Sequence, residues 1–120
     1  MSYISPEVLQ GEPYNEKADI WALGCILYEM ITGNRAFEAD TEAALIQRIH
    51  QFSLPSLPTS TANALKEIYN LCMQRKQDDR PSIKEILDLD SVQDAARRSG
   101  IFLGQRGRTI TLQQLIKEKK

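Results

Sequence analysis

The chain has 120 residues, 42% of them apolar and 26% charged, and a formal net charge of −1. That is room for one soluble globular domain at most, and it excludes extensive disorder. The average charge conceals a division: residues 1–96 hold eight Lys or Arg against fifteen Asp or Glu, whereas residues 97–120 hold seven against one.

Taken in order, Met1-Ser2-Tyr3-Ile4 lacks the basic start and long apolar run of a secretory signal. Ser5, Pro6 and Glu7 then read as a helix start, with a hydroxyl N-cap, proline at the first helical position and an acid in the first turn. Gly11 stops this short helix, and a loop through Pro13 and Tyr14 follows.

A longer helix begins near residues 15–17. At helical spacing Ile20, Leu23, Leu27, Met30 and Ile31 form one apolar stripe, and Trp21, Cys25 and Tyr28 a second. A helix apolar on so many sides is expected to be wrapped by other elements. The uncharged run between Asp19 and Glu29 is too short for a bilayer, which needs about 20 apolar residues, so the wrapping is protein and not membrane. Gly33 fits the C′ position that ends a helix at positive φ. Gly24, in mid-helix, costs about 1 kcal/mol relative to alanine, which points to close approach by another backbone.

Asp40 or Thr41 caps the next helix, whose Ala44, Leu45, Ile46 and Ile49 face inward up to a surface residue, His50. Leu54-Pro55-Ser56-Leu57-Pro58 reads as an extended connector. Ser60 or Thr61 opens an amphipathic helix with Leu65, Ile68, Tyr69 and Cys72 on its core side. Ser82 and Glu85 fit a capping box, with Ile83, Ile86 and Leu87 facing inward behind it. Residues 91–98 add a turn or two, and Thr111-Leu112-Gln113-Gln114 caps a last short helix bearing Leu115 and Ile116. The two cysteines read as reduced core thiols in an intracellular, cytoplasmic protein, without a disulfide or metal role.

Tyr3-Ile4-Ser5-Pro6-Glu7, Gly11, then Tyr14-Asn15-Glu16-Lys17-Ala18-Asp19-Ile20-Trp21-Ala22-Leu23-Gly24, and later Asp79-Arg80-Pro81-Ser82, together resemble the second half of a eukaryotic protein kinase domain. Ser-Pro-Glu stands where the kinase Ala-Pro-Glu closes the activation segment. The variant, with Tyr-Asn-Glu-Lys-x-Asp-Ile-Trp, is most similar to NIMA-related serine/threonine kinases. The resemblance covers residues 1–90 and implies an all-α fold: an incomplete C-terminal lobe built around a central buried helix at about 17–32. Residues 91–120 are a basic tail outside it.

The resemblance implies a role for each matched residue. Glu7 and Arg80 would form an ion pair fixing the activation segment to the lobe, a bidentate fit of carboxylate and guanidinium. The aspartate matching Asp19 accepts backbone hydrogen bonds from the kinase catalytic loop, although an acid at a helix start is also favoured by the dipole alone. Trp21 is a core anchor and Gly24 a tight-packing position. Tyr3 and Glu29 lie on the substrate side, Glu29 matching an acid that faces basic substrate residues in some kinases.

Phosphoryl transfer requires a phosphate-covering loop, a Lys held by a Glu, Mg²⁺-binding Asp and Asn, and a base. The 120 residues contain no Gly-x-Gly-x-x-Gly, His-Arg-Asp or Asp-Phe-Gly. Gly100, Gly104 and Gly107 follow no predicted strand and precede no Lys-Ser/Thr, so they are no phosphate loop. Met1 and Ser2 stand where the family has Pro and Tyr, so the sequence starts inside the substrate-binding loop. The expectation is therefore a partial serine/threonine kinase, its substrate-side lobe only, inactive alone, with no catalytic, cofactor or metal site. ATP and Mg are implied only for the complete family domain. The alternative is a non-catalytic kinase-like binding or scaffold module. Partners are a protein substrate or the missing kinase half. The tail reads as a solvated basic appendage that could also contact an acidic partner, and with little aromatic content among its charges it is a weak match for nucleic acid.

Overall fold

The computed structural model describes residues 3–51 and 54–103. Every element with defined bounds among them is helical. These are α1 (Pro6–Leu9), α2 (Lys17–Thr32), α3 (Glu42–Gln51), α4 (Asn63–Cys72), a 3₁₀ turn (Gln77–Asp79), α5 (Ile83–Leu87) and α6 (Asp90–Arg98). The all-α reading holds.

The start of α2 is fixed locally, since Asn15 Oδ1 accepts the Lys17 amide at 2.9 Å. Its end is fixed by Gly33, which adopts φ 77° and donates its amide to the Glu29 carbonyl at 2.8 Å. A β-carbon disfavours that left-handed turn. Thr41 Oγ1 accepts the Ala44 amide and caps α3. The capping box of α5 is complete, Ser82 Oγ accepting from the Glu85 amide at 3.1 Å and Glu85 Oε1 from the Ser82 amide at 2.9 Å.

The helices pack around one face of α2. Trp21 and Cys25 join Phe37, Leu45, Ile49, Tyr69 and Met73 in the main core, while Ile20 meets Cys72 and Ile86 on the neighbouring side. Leu71 and Leu89 continue the apolar layer toward α6. Tyr69 ties the extended connector to α4 by donating its hydroxyl to the Pro55 carbonyl at 2.8 Å. Burial pushes the thiols of Cys25 and Cys72 up to about 12, and both are free and buried, in accord with reduced core thiols.

Several local expectations are corrected. Ser5 occupies the N-cap of α1, but its hydroxyl makes no capping bond. Helix α4 begins at Asn63 after an uncapped Ala62, later than the expected start at Ser60 or Thr61. Ile46 (37% exposed), Leu65 (38% exposed) and Ile83 (54% exposed) do not face inward. On α2 the stripe through Ile20 and Met30 is split: Ile20 is buried, whereas Met30 is 78% exposed and Ile26 43%. Among the described residues the helix is wrapped on some sides only. The short helix expected at 111–116 lies outside the described residues.

Candidate functional site

Glu7, on α1, and Arg80, just after the 3₁₀ turn, are 73 positions apart and meet inside the lobe. The guanidinium Nη1 donates to Glu7 Oε2 at 2.7 Å and Nη2 to Oε1 at 2.8 Å, the bidentate fork expected from the sequence. Its other N–H groups reach the backbone: Nε to the Gln74 carbonyl (2.7 Å), Nη1 to that of Lys17 (2.9 Å) and Nη2 to that of Arg75 (3.1 Å). All five donors of a guanidinium are thereby satisfied. Burial by itself raises the Glu7 carboxyl; the hydrogen bonds from Arg80 outweigh that, with help from the Glu7 backbone amide, and the net direction is below the ordinary carboxylate value.

Trp21 is fully buried and touches two partners. The Phe37 ring stacks on it at 5.8 Å between centroids and 12° between planes, and the Arg80 guanidinium sits 5.2 Å from the indole centroid. One turn further along α2, Gly24 abuts α4. A β-carbon there would fall 2.9 Å from Cys72 Cβ and 2.5 Å from Met73 Sδ. Met73 can swing aside, but Cys72 Cβ is fixed to its helix. The expected result is that Gly24→Ala is destabilising: overpacking of about 1–3 kcal/mol exceeds the gain of about 1 kcal/mol in helix propensity. Urea unfolding of the two proteins measures this, and a more stable variant would refute the close-approach account.

Asp19 is exposed at the N-terminal end of α2, and its carboxylate makes no hydrogen bond or ion pair among the described residues. At the other end of the helix, Tyr3 donates its hydroxyl to Glu29 Oε1 at 2.5 Å. The bond to Glu29 holds the Tyr3 phenol above its ordinary value. Tyr3, Glu29, Ile26 and Met30 line a shallow recess of about 290 Å³. The two residues assigned to the substrate side thus touch each other, and they lie apart from the buried Glu7–Arg80 pair.

Lys17 and Gln77 were not singled out by the sequence. Lys17 Nζ donates to the Arg80 carbonyl at 2.6 Å, answering the bond from Arg80 to the Lys17 carbonyl. Gln77 donates to the Pro13 carbonyl and accepts from the Asn15 amide, so the 3₁₀ turn clasps the loop before α2. Both contacts join segments more than 60 residues apart, and no periodicity or spacing signals them. His50 is exposed, its Nδ1 lying 3.4 Å from Gln10 Nε2. Among the described residues no group of His, Cys, Asp and Glu is placed to hold a metal ion, and no helix is long and apolar enough to cross a membrane.

A long central helix wrapped on one side by short ones, with a buried Glu–Arg fork pinning the chain before it to the chain after it, is the arrangement expected of the C-terminal lobe of a protein kinase domain. Residues 1–91 match the protein kinase domain family, and the chain belongs to that family. Its relatives are NIMA-related kinases. It is 41% identical over 85 residues to serine/threonine-protein kinase Nek4 of Mus musculus, covering 71% of this chain and 11% of that protein. It is 41% identical to Nek1 of the same organism, covering 72% and 7%. It is 40% identical to the probable serine/threonine-protein kinase nek3 of Dictyostelium discoideum, covering 72% and 8%. The chain thus spans about a tenth of the length of these relatives.

Proposed function

We propose that this chain is the substrate-side lobe of a serine/threonine protein kinase, residues 1–90 forming the lobe and 91–120 a basic tail, and that by itself it neither binds ATP nor transfers phosphate. The observation that carries the reading is the Glu7–Arg80 fork beside Trp21: three motifs spread between Ser5 and Ser82 converge on one buried guanidinium. Glu7, Asp19, Trp21, Gly24 and Arg80 are then structural positions, and the recess at Tyr3 and Glu29 lies on the side that faces a protein substrate.

The described residues do not fit the nucleotide. They place no group of three or more His, Cys, Asp and Glu to hold a metal ion, and the sequence carries none of the phosphate-binding motifs. Charge neutralisation and positioning of the transferred phosphoryl group, which carry most of the catalysis in this family, fall to residues supplied from elsewhere. The expected result of titrating the purified chain with MgATP is no heat of binding and no phosphate incorporated into a mixed serine/threonine peptide library. Fused behind the ATP-binding half of a NIMA-related relative, the same residues are expected to support incorporation. Activity of the chain alone would overturn the first statement, and a folded but inactive fusion the second.

A further inference from the structure

Helix α6 ends in a fixed turn that faces solvent. Gly100 adopts φ 71° and donates its amide to the Arg97 carbonyl at 3.2 Å, while the Ile101 amide donates to the Ala96 carbonyl at 2.8 Å. These two bonds close a Schellman motif, in which the residue after the glycine frequently packs back on the helix. Here that packing is incomplete. Ala96 is buried, but Ile101 stays 58% exposed and Phe102 85%, more than any other large apolar side chain described. Arg97 and Arg98, in the last turn of α6, are exposed beside them. Asp94 orients Arg97 at 3.1 Å from one turn back, and among the described residues Arg98 meets no carboxylate. Two cations at a helix C-terminus also suit the dipole, but the dipole asks nothing of an exposed phenylalanine.

We propose that this end of α6 is a docking surface for a short acidic segment of a partner protein, its carboxylates on Arg97 and Arg98 and one large apolar side chain against Ile101 and Phe102. The residue types suit such a contact, since Arg and Phe are enriched at protein interfaces and an arginine fork matches a carboxylate. The surroundings select a short partner over an extended one. Residues 1–96 hold eight basic residues against fifteen acidic ones, and Asp94 and Asp90 lie one and two turns back on α6 itself. Along the helix axis Asp94 is about 6 Å from Arg98, inside the Debye length of about 8 Å. A flat anionic surface, a bilayer or a nucleic acid backbone, meets these acids together with the arginines. A peptide seated on the turn avoids them. Four residues are far fewer than the about 20–30 on each side of a standard interface, so the complex is transient. The turn lies beyond residues 1–91, which match the kinase family, so this inference goes beyond the kinase reading and is tested apart from it.

The test selects random short peptides, displayed on phage, against the immobilised full chain. Enriched sequences are expected to carry an excess of acids and at least one Leu, Phe or Trp. The most enriched peptide, labelled with fluorescein, is then titrated with the chain by fluorescence anisotropy. Phe102→Ala, and Arg97→Gln together with Arg98→Gln, are each expected to weaken binding about tenfold. Ile83→Ala and Arg48→Gln, exposed on other helices, are expected to leave it unchanged. All these side chains are exposed, and circular dichroism confirms that each variant is folded. Vesicles of phosphatidylcholine and phosphatidylserine in equal parts are the rival ligand. If their binding falls in the Phe102→Ala chain and that of the peptide does not, the surface belongs to a membrane and the proposal is overturned. Enrichment without an acidic excess would overturn it as well, and so would peptide binding that ignores both Phe102 and the arginines.

Discussion

Arg80→Ala is expected to be among the most destabilising single substitutions in this chain, by about 3–5 kcal/mol, and chemical denaturation is the measurement. The magnitude follows from what stays behind. Glu7 would keep a buried carboxylate with neither of its two guanidinium bonds. The carbonyls of Gln74, Lys17 and Arg75 would lose a donor at the same time. Against a total stability of about 5–15 kcal/mol for an ordinary domain, such a loss unfolds a sizeable fraction of the protein. Arg75→Ala is the comparison, since that side chain is exposed and surface charges contribute about 0–1 kcal/mol. Equal losses would refute the buried fork. Arg80→Lys rescues little, because a lysine cannot span both carboxylate oxygens and three carbonyls. Replacing both partners with apolar residues, which is often neutral for a simple ion pair, is expected to fail here because the three carbonyls remain.

The same pair sets a pH dependence. The Glu7 carboxyl is held below its ordinary value in the folded protein, so the folded state binds its proton less readily than the unfolded state. The stabilisation is fully present above the unfolded value, near pH 4.3, and is lost as the pH falls through the lowered folded value. Glu7→Gln is expected to start from lower stability at neutral pH and to show a shallower decline in acid. An unchanged acid limb would refute this contribution.

Much of this architecture was legible because it is written in short-range chemistry. Gly33, Thr41 and the Ser82–Glu85 box act within three or four residues of themselves, so their sequence signals are complete. Gly24 was legible in part, since a costly residue in mid-helix needs a close neighbour, but the nearest atoms belong to the Cys72 and Met73 side chains and not to the backbone that was expected. The Glu7–Arg80 fork joins residues 73 apart and was reached only through family resemblance. Periodicity erred where it had to state how far a face extends. Ile46, Leu65 and Ile83 have the right spacing yet are exposed, because burial depends on which other segments pack on that face, which the period of a single helix does not encode. Phe37 lies in a loop and Met73 and Leu89 just past helix ends, so no period marks them, yet all three are buried. The bond from Tyr3 to Glu29 was missed for a further reason: both residues were placed on one side, but a contact between a loop phenol and a helix carboxylate has no local signature.

Trp21→Ala is expected to match Arg80→Ala in scale, about 3–5 kcal/mol for a fully buried tryptophan, and the two losses are expected not to add. The indole is stacked against Phe37 and has the Arg80 guanidinium over its ring, so each substitution removes part of what the other depends on. A desolvated cation over an aromatic ring contributes about 2 kcal/mol, and contacting residues show interaction energies of about 0.5–3 kcal/mol in double-mutant cycles. The alanine variants together would leave no folded baseline, so the cycle is best closed with Trp21→Phe and Arg80→Lys, followed by circular dichroism in urea. The expected coupling is at least about 0.5 kcal/mol. Trp21 is the only tryptophan, so in the Arg80→Lys protein its emission also reports whether the ring keeps its place against Phe37. Strict additivity, with unchanged emission, would mean that the guanidinium merely lies near the ring. In that case the fork and the aromatic core would be two independent supports of α2, and the convergence that carries the kinase reading would lose its energetic basis.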